Sequence, residues 1–176
     1  MDTRWLDDAQ HAAWVKLVAV VELLPGVLDT QLRRDAGLTH FEYFVLAMLS
    51  EAPDRTLRMT SLAKRTNATL PRLSHVVRRL EDRDLVRRFP CPDDGRATNA
   101  QLTDEGWAAV VAAAPGHVAN VRSHVIDALS PAQVGQLDVL LSSLLQKLDP
   151  DGHMSAPSSV RPRTSRTEGD DLTTTS

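Results

Sequence analysis

The chain has 176 residues, 42% hydrophobic and 24% charged, a composition that suits one soluble globular domain plus a tail. One cysteine, Cys91, excludes an internal disulfide framework and a multi-cysteine zinc site. There is no unbroken apolar run of about 18 residues and no basic-then-apolar start, so the expectation is a cytoplasmic protein that neither spans nor enters a membrane.

The formal net charge of −3 conceals an asymmetry. Residues 55–96 carry eleven Arg and Lys against five Asp and Glu, a local +6, and the remainder carries nine against eighteen, a local −9. A basic segment on an acidic body points to a polyanionic partner, with a merely solvated basic face as the alternative.

Asp7 to Asp35 reads as helix. Trp14, Val15, Leu17, Val18, Val21, Leu24, Leu28 and Leu32 recur at steps of three and four. Pro25-Gly26 predicts a kink or break, and Gly37 a left-handed stop. Thr39 and Glu42 have capping-box spacing and open a second helix over about 39–51. Two short helices follow. Thr60 is placed as the cap of the first, around Ser61–Arg65. Thr69 is placed as the cap of the second, with Pro71 in its first turn. Leu70, Leu73, Val76, Val77 and Leu80 form the inner face of that second helix. Arg72, Ser74, His75, Arg78, Arg79 and Arg83 form the outer one.

The pattern then changes period. Leu85–Phe89 and Ala97–Leu102 read as two strands around a charged tip containing Asp93, Asp94 and Arg96. Thr103 caps a long helix with acidic residues at its positive end and a stripe running from Trp107 to Val125. Pro115-Gly116 predicts a kink or split in it. Ser130-Pro-Ala-Gln133 is a further capping box, before an apolar seam of Val134, Leu137, Leu141, Leu144 and Leu148 suited to packing on another helix. From Pro150 onward, Ser, Thr and Pro supply 13 of 27 residues, and the segment is expected to be a disordered tail. No internal repeat is present.

The order of elements predicts a mainly α fold with a small β-hairpin wing: a winged helix-turn-helix over about 39–102, flanked by dimerisation helices over about 7–35 and 103–148. An arginine-rich helix face suits the major groove, and an Arg at a hairpin tip suits the adjacent minor groove. Phe89 is the one aromatic residue of the basic segment, which disfavours single-strand binding by base stacking.

Several stretches carry a family likeness: Leu38-Thr-His-Phe-Glu-Tyr-Phe-Val-Leu46, Leu62-Ala63, Leu73-Ser74, Val76-Val-Arg-Arg-Leu80 and Leu85-Val-Arg-Arg88. Asp94-Gly-Arg96 and Leu102-Thr-Asp-Glu-Gly106 complete it. Over residues 5–148 the chain resembles MarR-family transcriptional regulators. The resemblance implies a homodimer that reads a pseudo-palindromic double-stranded operator as a repressor and releases it on binding a small phenolic or anionic effector. Asp84 stands where the family usually has Gly; Asp tolerates the left-handed conformation. Pro71 replaces a residue that is often polar, removing a backbone donor that could meet phosphate.

The expected DNA-facing residues are Thr69, Arg72, Ser74, His75, Arg78, Arg79, Arg88, Asp94 and Arg96, with Arg96 as the wing's minor-groove finger and Asp94 holding its guanidinium. Arg87 and Arg88 alternate on a strand, so one of them faces DNA, and Arg88 is preferred. Thr69 and Ser74 contact phosphate, or only cap and pack. Trp14, Tyr43, Trp107 and His117 are candidates to border an effector pocket, with core roles as the alternative. His117 and His124 lie about 10 Å apart along a helix, too far for one metal ion. Cys91 is read as incidental rather than redox-active. With no phosphate loop, nucleophile elbow or zinc-protease motif, neither enzyme activity nor a cofactor is expected. The competing reading is a winged-helix module whose arginines bind an acidic protein.

Overall fold

The computed structural model describes residues 3–92 and 94–154. The expected disordered tail lies, from Ser155 on, outside the described residues. Helix α1 spans Asp8–Ala36. Its start is closed reciprocally: the Asp7 carboxylate accepts from the Gln10 N–H, and the Gln10 side chain accepts from the Asp7 N–H. Gly37, at φ 63°, ends it. Pro25 does not break the helix. Its ring removes one backbone donor, a local loss that the intact turns on either side outweigh.

Helix α2, His40–Ser50, opens on the predicted Thr39–Glu42 capping box. Asp29 on α1 adds a cap from outside, its carboxylate accepting the His40 N–H at 2.8 Å. A single turn at Pro53–Arg55 leads into strand β1, Thr56–Arg58, which the sequence pattern did not reveal. Helix α3, Met59–Arg65, begins one residue ahead of Thr60 and has no side-chain cap, so Thr60 does not cap it. Asn67, at φ 47°, makes the turn into α4, Leu70–Glu81. Thr69 caps α4 as predicted, accepting from the Arg72 N–H at 3.4 Å.

Strands β2, Val86–Cys91, and β3, Asp94–Leu102, form the wing. The sheet is three-stranded and antiparallel in the order β1-β3-β2, with Arg58 opposite Asn99 and Arg88 opposite Ala100. Helix α5, Asp104–Val121, passes through Pro115 without splitting. A wider helical turn at Arg122–Ile126 then precedes α6, Pro131–Leu148, which starts at the predicted Ser130–Gln133 box.

The core gathers around α2 and α4. Leu32, Leu38, Val45, Leu46, Leu49, Leu62, Leu73, Val77, Leu80 and Val110 have almost no exposed surface. Leu70, assigned to that inner face, is instead 43% exposed, because it occupies the first position of α4, before the helix reaches the core. Gly106 is sterically obligatory. A Cβ there would lie 2.1 Å from the Leu85 carbonyl oxygen, the same oxygen that accepts the Thr103 N–H. Asp84 supplies the expected left-handed turn at φ 56°.

Two elements stand largely outside this core. The first five turns of α1 expose Trp14, Val15, Val18, Val20, Val21 and Leu23. Helix α6 buries no residue at all, and its Leu140, Leu141, Leu144, Leu145 and Leu148 face outward.

Candidate nucleic-acid interface

Helix α4 divides sharply by polarity. Leu73, Val76, Val77 and Leu80 are buried, while Arg72, His75, Arg78 and Arg79 are exposed. The inner residues anchor the helix by apolar burial, leaving the opposite face free to carry charge. Ser74 is half-buried on the flank, and Thr69 is exposed but engaged as the cap.

The arginines are not equivalent. Arg72 lies over the Phe41 ring, 4.3 Å from its centroid. That contact orients the guanidinium without neutralising it. Arg78 makes no ion pair among the described residues, whereas Arg79 Nη2 stands 3.1 Å from Glu42 Oε1. Arg88 is held more fully. Its backbone N–H donates to Glu81 Oε1 at 2.8 Å and its Nε to Glu81 Oε2 at 2.7 Å. On the other side of β2, Arg87 Nε donates to Gln101 Oε1 at 2.7 Å. Strand alternation thus separates the two as expected, but the preferred Arg88 serves a bond between the wing and the end of α4.

At the tip of the wing, Arg96 is exposed. The expected Asp94–Arg96 side-chain pair does not form. Asp94 Oδ1 instead accepts the Arg96 backbone N–H at 3.1 Å, and Oδ2 faces Arg58 Nη1 at 3.9 Å. With only Gly95 between them, Asp94 reaches the Arg96 main chain more readily than the far end of its side chain, a local turn bond. Arg58 was missed from sequence because a three-residue strand is too short to show a period.

The four effector candidates do not assemble. Tyr43 and His117 do meet, with ring centroids 4.7 Å apart. Trp14 is exposed on α1, and Trp107 packs beneath Arg55, whose guanidinium lies 4.6 Å from its ring. Gln31, which sequence reasoning did not single out, packs against the helix that carries His117, its Nε2 3.1 Å from where a Cβ on Gly116 would stand. Its Oε1 and His117 Nδ1 are both buried without a hydrogen-bond partner. Burial lowers the His117 pKa, with the positive charge of His40 as a second cause, and burial raises that of Tyr43, helped by Glu51.

This architecture defines a winged helix-turn-helix protein with extended flanking helices. Comparison with known proteins agrees. The MarR family model matches residues 38–98. Sco3205 of Streptomyces coelicolor, a MarR family transcriptional regulator solved in complex with DNA, is 44% identical, with a TM-score of 0.80. The match covers 85% of this chain and 93% of that one. AbsC, a MarR family regulator of the same organism, is 40% identical over 83% of this chain and 98% of its own, with a TM-score of 0.77. The HTH-type transcriptional repressor YetL of Bacillus subtilis is 30% identical over 112 residues, 64% of this chain and 66% of that protein. The chain belongs to the MarR family; it is a transcriptional regulator, not an enzyme.

Proposed function

We propose that the protein is a cytoplasmic homodimer that binds a pseudo-palindromic double-stranded operator and represses transcription until a small phenolic or anionic effector releases it. The observation that carries the reading is the two-sided α4: an apolar face locked into the core and an exposed face bearing Arg72, His75 and Arg78. Such a helix can enter a major groove while its scaffold stays rigid. Ser74 and the Thr69 end of α4 lie where phosphates would pass. Arg96, on the wing, reaches for the minor groove, where a narrow groove attracts a guanidinium. Asp94 shapes the turn that presents it. That Sco3205, 44% identical, is solved in complex with DNA supports DNA binding by this fold.

Dimerisation would cover the apolar faces of α1 and α6. The effector reading rests on the Tyr43–His117 contact and on the buried, unpartnered His117 Nδ1. An aromatic ligand could pack on the rings, with a hydroxyl donating to His117 Nδ1 or a carboxylate accepting from its N–H form.

The test is binding-site selection from a random duplex pool, followed by mobility-shift titration on the selected duplex. Binding should fall steeply with salt as counterions are released. Arg96→Ala should weaken it by about tenfold, the loss of one good groove contact. No preference for any duplex, even at low salt, would favour an acidic protein partner instead. An Arg96→Ala variant of unchanged affinity would remove the wing from the mechanism.

A further inference from the structure

We propose that Arg79, although it lies on the exposed face of the recognition helix, is a positioning residue that sets the angle of α4 against α1 rather than a DNA contact. The inference rests on the DNA-binding reading above. It starts from Glu42, whose side chain is only 8% exposed. One carboxylate oxygen of Glu42, Oε2, accepts the Thr39 N–H at 2.8 Å and closes the N-terminus of α2. The other, Oε1, faces Arg79 Nη2 at 3.1 Å. A nearly buried carboxylate loses most of its water and holds its partner far more firmly than a surface acid does.

The tie does not stand alone. In the turn just beyond the end of α4, Arg83 Nη1 donates to the Gly37 carbonyl at 3.2 Å. Two arginines four residues apart, one on the last turns of α4 and one just after it, therefore fasten the C-terminal end of α4 to the head of α2 and the α1–α2 turn. That turn is itself fixed to α1 by the Asp29 carboxylate, which accepts the His40 N–H and pairs with Arg33. A continuous polar path thus runs from the flanking helix through Asp29, the head of α2 and Glu42 to Arg79. Spending Arg79 on a phosphate would break the path and leave the Glu42 carboxylate unpaired in a dry site. Arg78, one residue earlier, points elsewhere and has no ion-pair partner among the described residues, so the two neighbours divide the work: Arg78 meets DNA and Arg79 aims the helix.

The experiment compares full-length wild type, Arg79→Gln, Glu42→Gln, the double variant and Arg78→Gln. Binding is measured to the selected duplex and to a random-sequence duplex over a salt series, after circular dichroism and thermal melting confirm folding. Gln at 42 keeps one carbonyl oxygen for the capping box and turns its NH2 toward Arg79, so Glu42→Gln removes the charge and the acceptor that hold Arg79 while leaving the cap. For a positioning role, Arg79→Gln and Glu42→Gln each weaken binding to the selected duplex by about tenfold, and the double variant is no worse than either, because the two act as one unit. The random duplex and the salt slope stay as in wild type. Arg78→Gln instead weakens both duplexes and lowers the slope by about one per site. The proposal is overturned if Arg79→Gln lowers the slope as Arg78→Gln does, or if Glu42→Gln leaves selected binding unchanged or tighter. Failure of the wild type to bind any duplex would instead overturn the reading on which it rests.

Discussion

Single side chains in this protein are governed by what they touch more than by the face they occupy. Arg72, Arg78, Arg79 and Arg88 look alike as letters, yet one stacks on Phe41, one is unpaired among the described residues, and two are held by carboxylates. His117 shows the same dependence. Burial lowers its pKa and that of His40, the latter opposed by the Asp29 carboxylate. The unfolded chain therefore binds more protons below the ordinary imidazole value of 6.5. The neutral histidines cost nothing above that pH, and stability is lost as pH falls from 6.5 toward the folded values. Glu51, whose pKa burial raises, works in the opposite direction, so a variant comparison is needed. Urea midpoints measured at about pH 7.5 and about pH 5.5, either side of the imidazole range, should fall less for His117→Phe than for wild type. Equal falls would assign the acid sensitivity to other groups.

Between elements, the junctions are made by close approach and by shared caps. The Leu102-Thr-Asp-Glu-Gly106 stretch reads simply as the start of a helix, but its glycine is needed for a separate reason: α5 passes against the Leu85 carbonyl with no room for a Cβ. Gly106→Ala is expected to lower stability by about 2–3 kcal/mol, the range for forced overpacking. Equilibrium denaturation would check it, and a loss under about 0.5 kcal/mol, the scale of ordinary surface changes, would show that α5 shifts freely. The wing is likewise secured to α4, because Glu81 at the end of that helix holds both the backbone and the guanidinium of Arg88. A displacement of α4 would thus carry the base of the wing with it.

Over the whole molecule, the feature that most needs an explanation is exposed apolar surface. Helix α1 is long and apolar enough to match a membrane-crossing helix by composition, although Lys16 and Glu22 interrupt it. Its C-terminal part packs into the core through Leu28 and Leu32, and α6 presents a second apolar face. Two such faces at the two ends of a winged helix suit interlocking with another copy. Sedimentation at micromolar concentration should give about twice the chain mass of 19.3 kDa. Leu141→Asp with Leu145→Asp should shift it to the monomer and weaken operator binding, since two half-sites would no longer be engaged together. A wild-type monomer at that concentration contradicts the arrangement.

Local signals in the chain determined the elements: hydroxyl caps at Thr39, Thr69, Thr103 and Ser130, the left-handed stop at Gly37, and helical spacing that switches to strand spacing at Leu85. These depend on residues three or four apart, so they can be read without a fold. The winged-helix order followed from them. Only the tertiary structure decided that β1 completes the sheet, that Pro25 and Pro115 sit within unbroken helices, and which arginines are tied down by acids distant in sequence. Glu42 and Arg79 are 37 positions apart. Nothing in spacing foretells their meeting, because an ion pair across a fold is set by the packing of the helices that carry it.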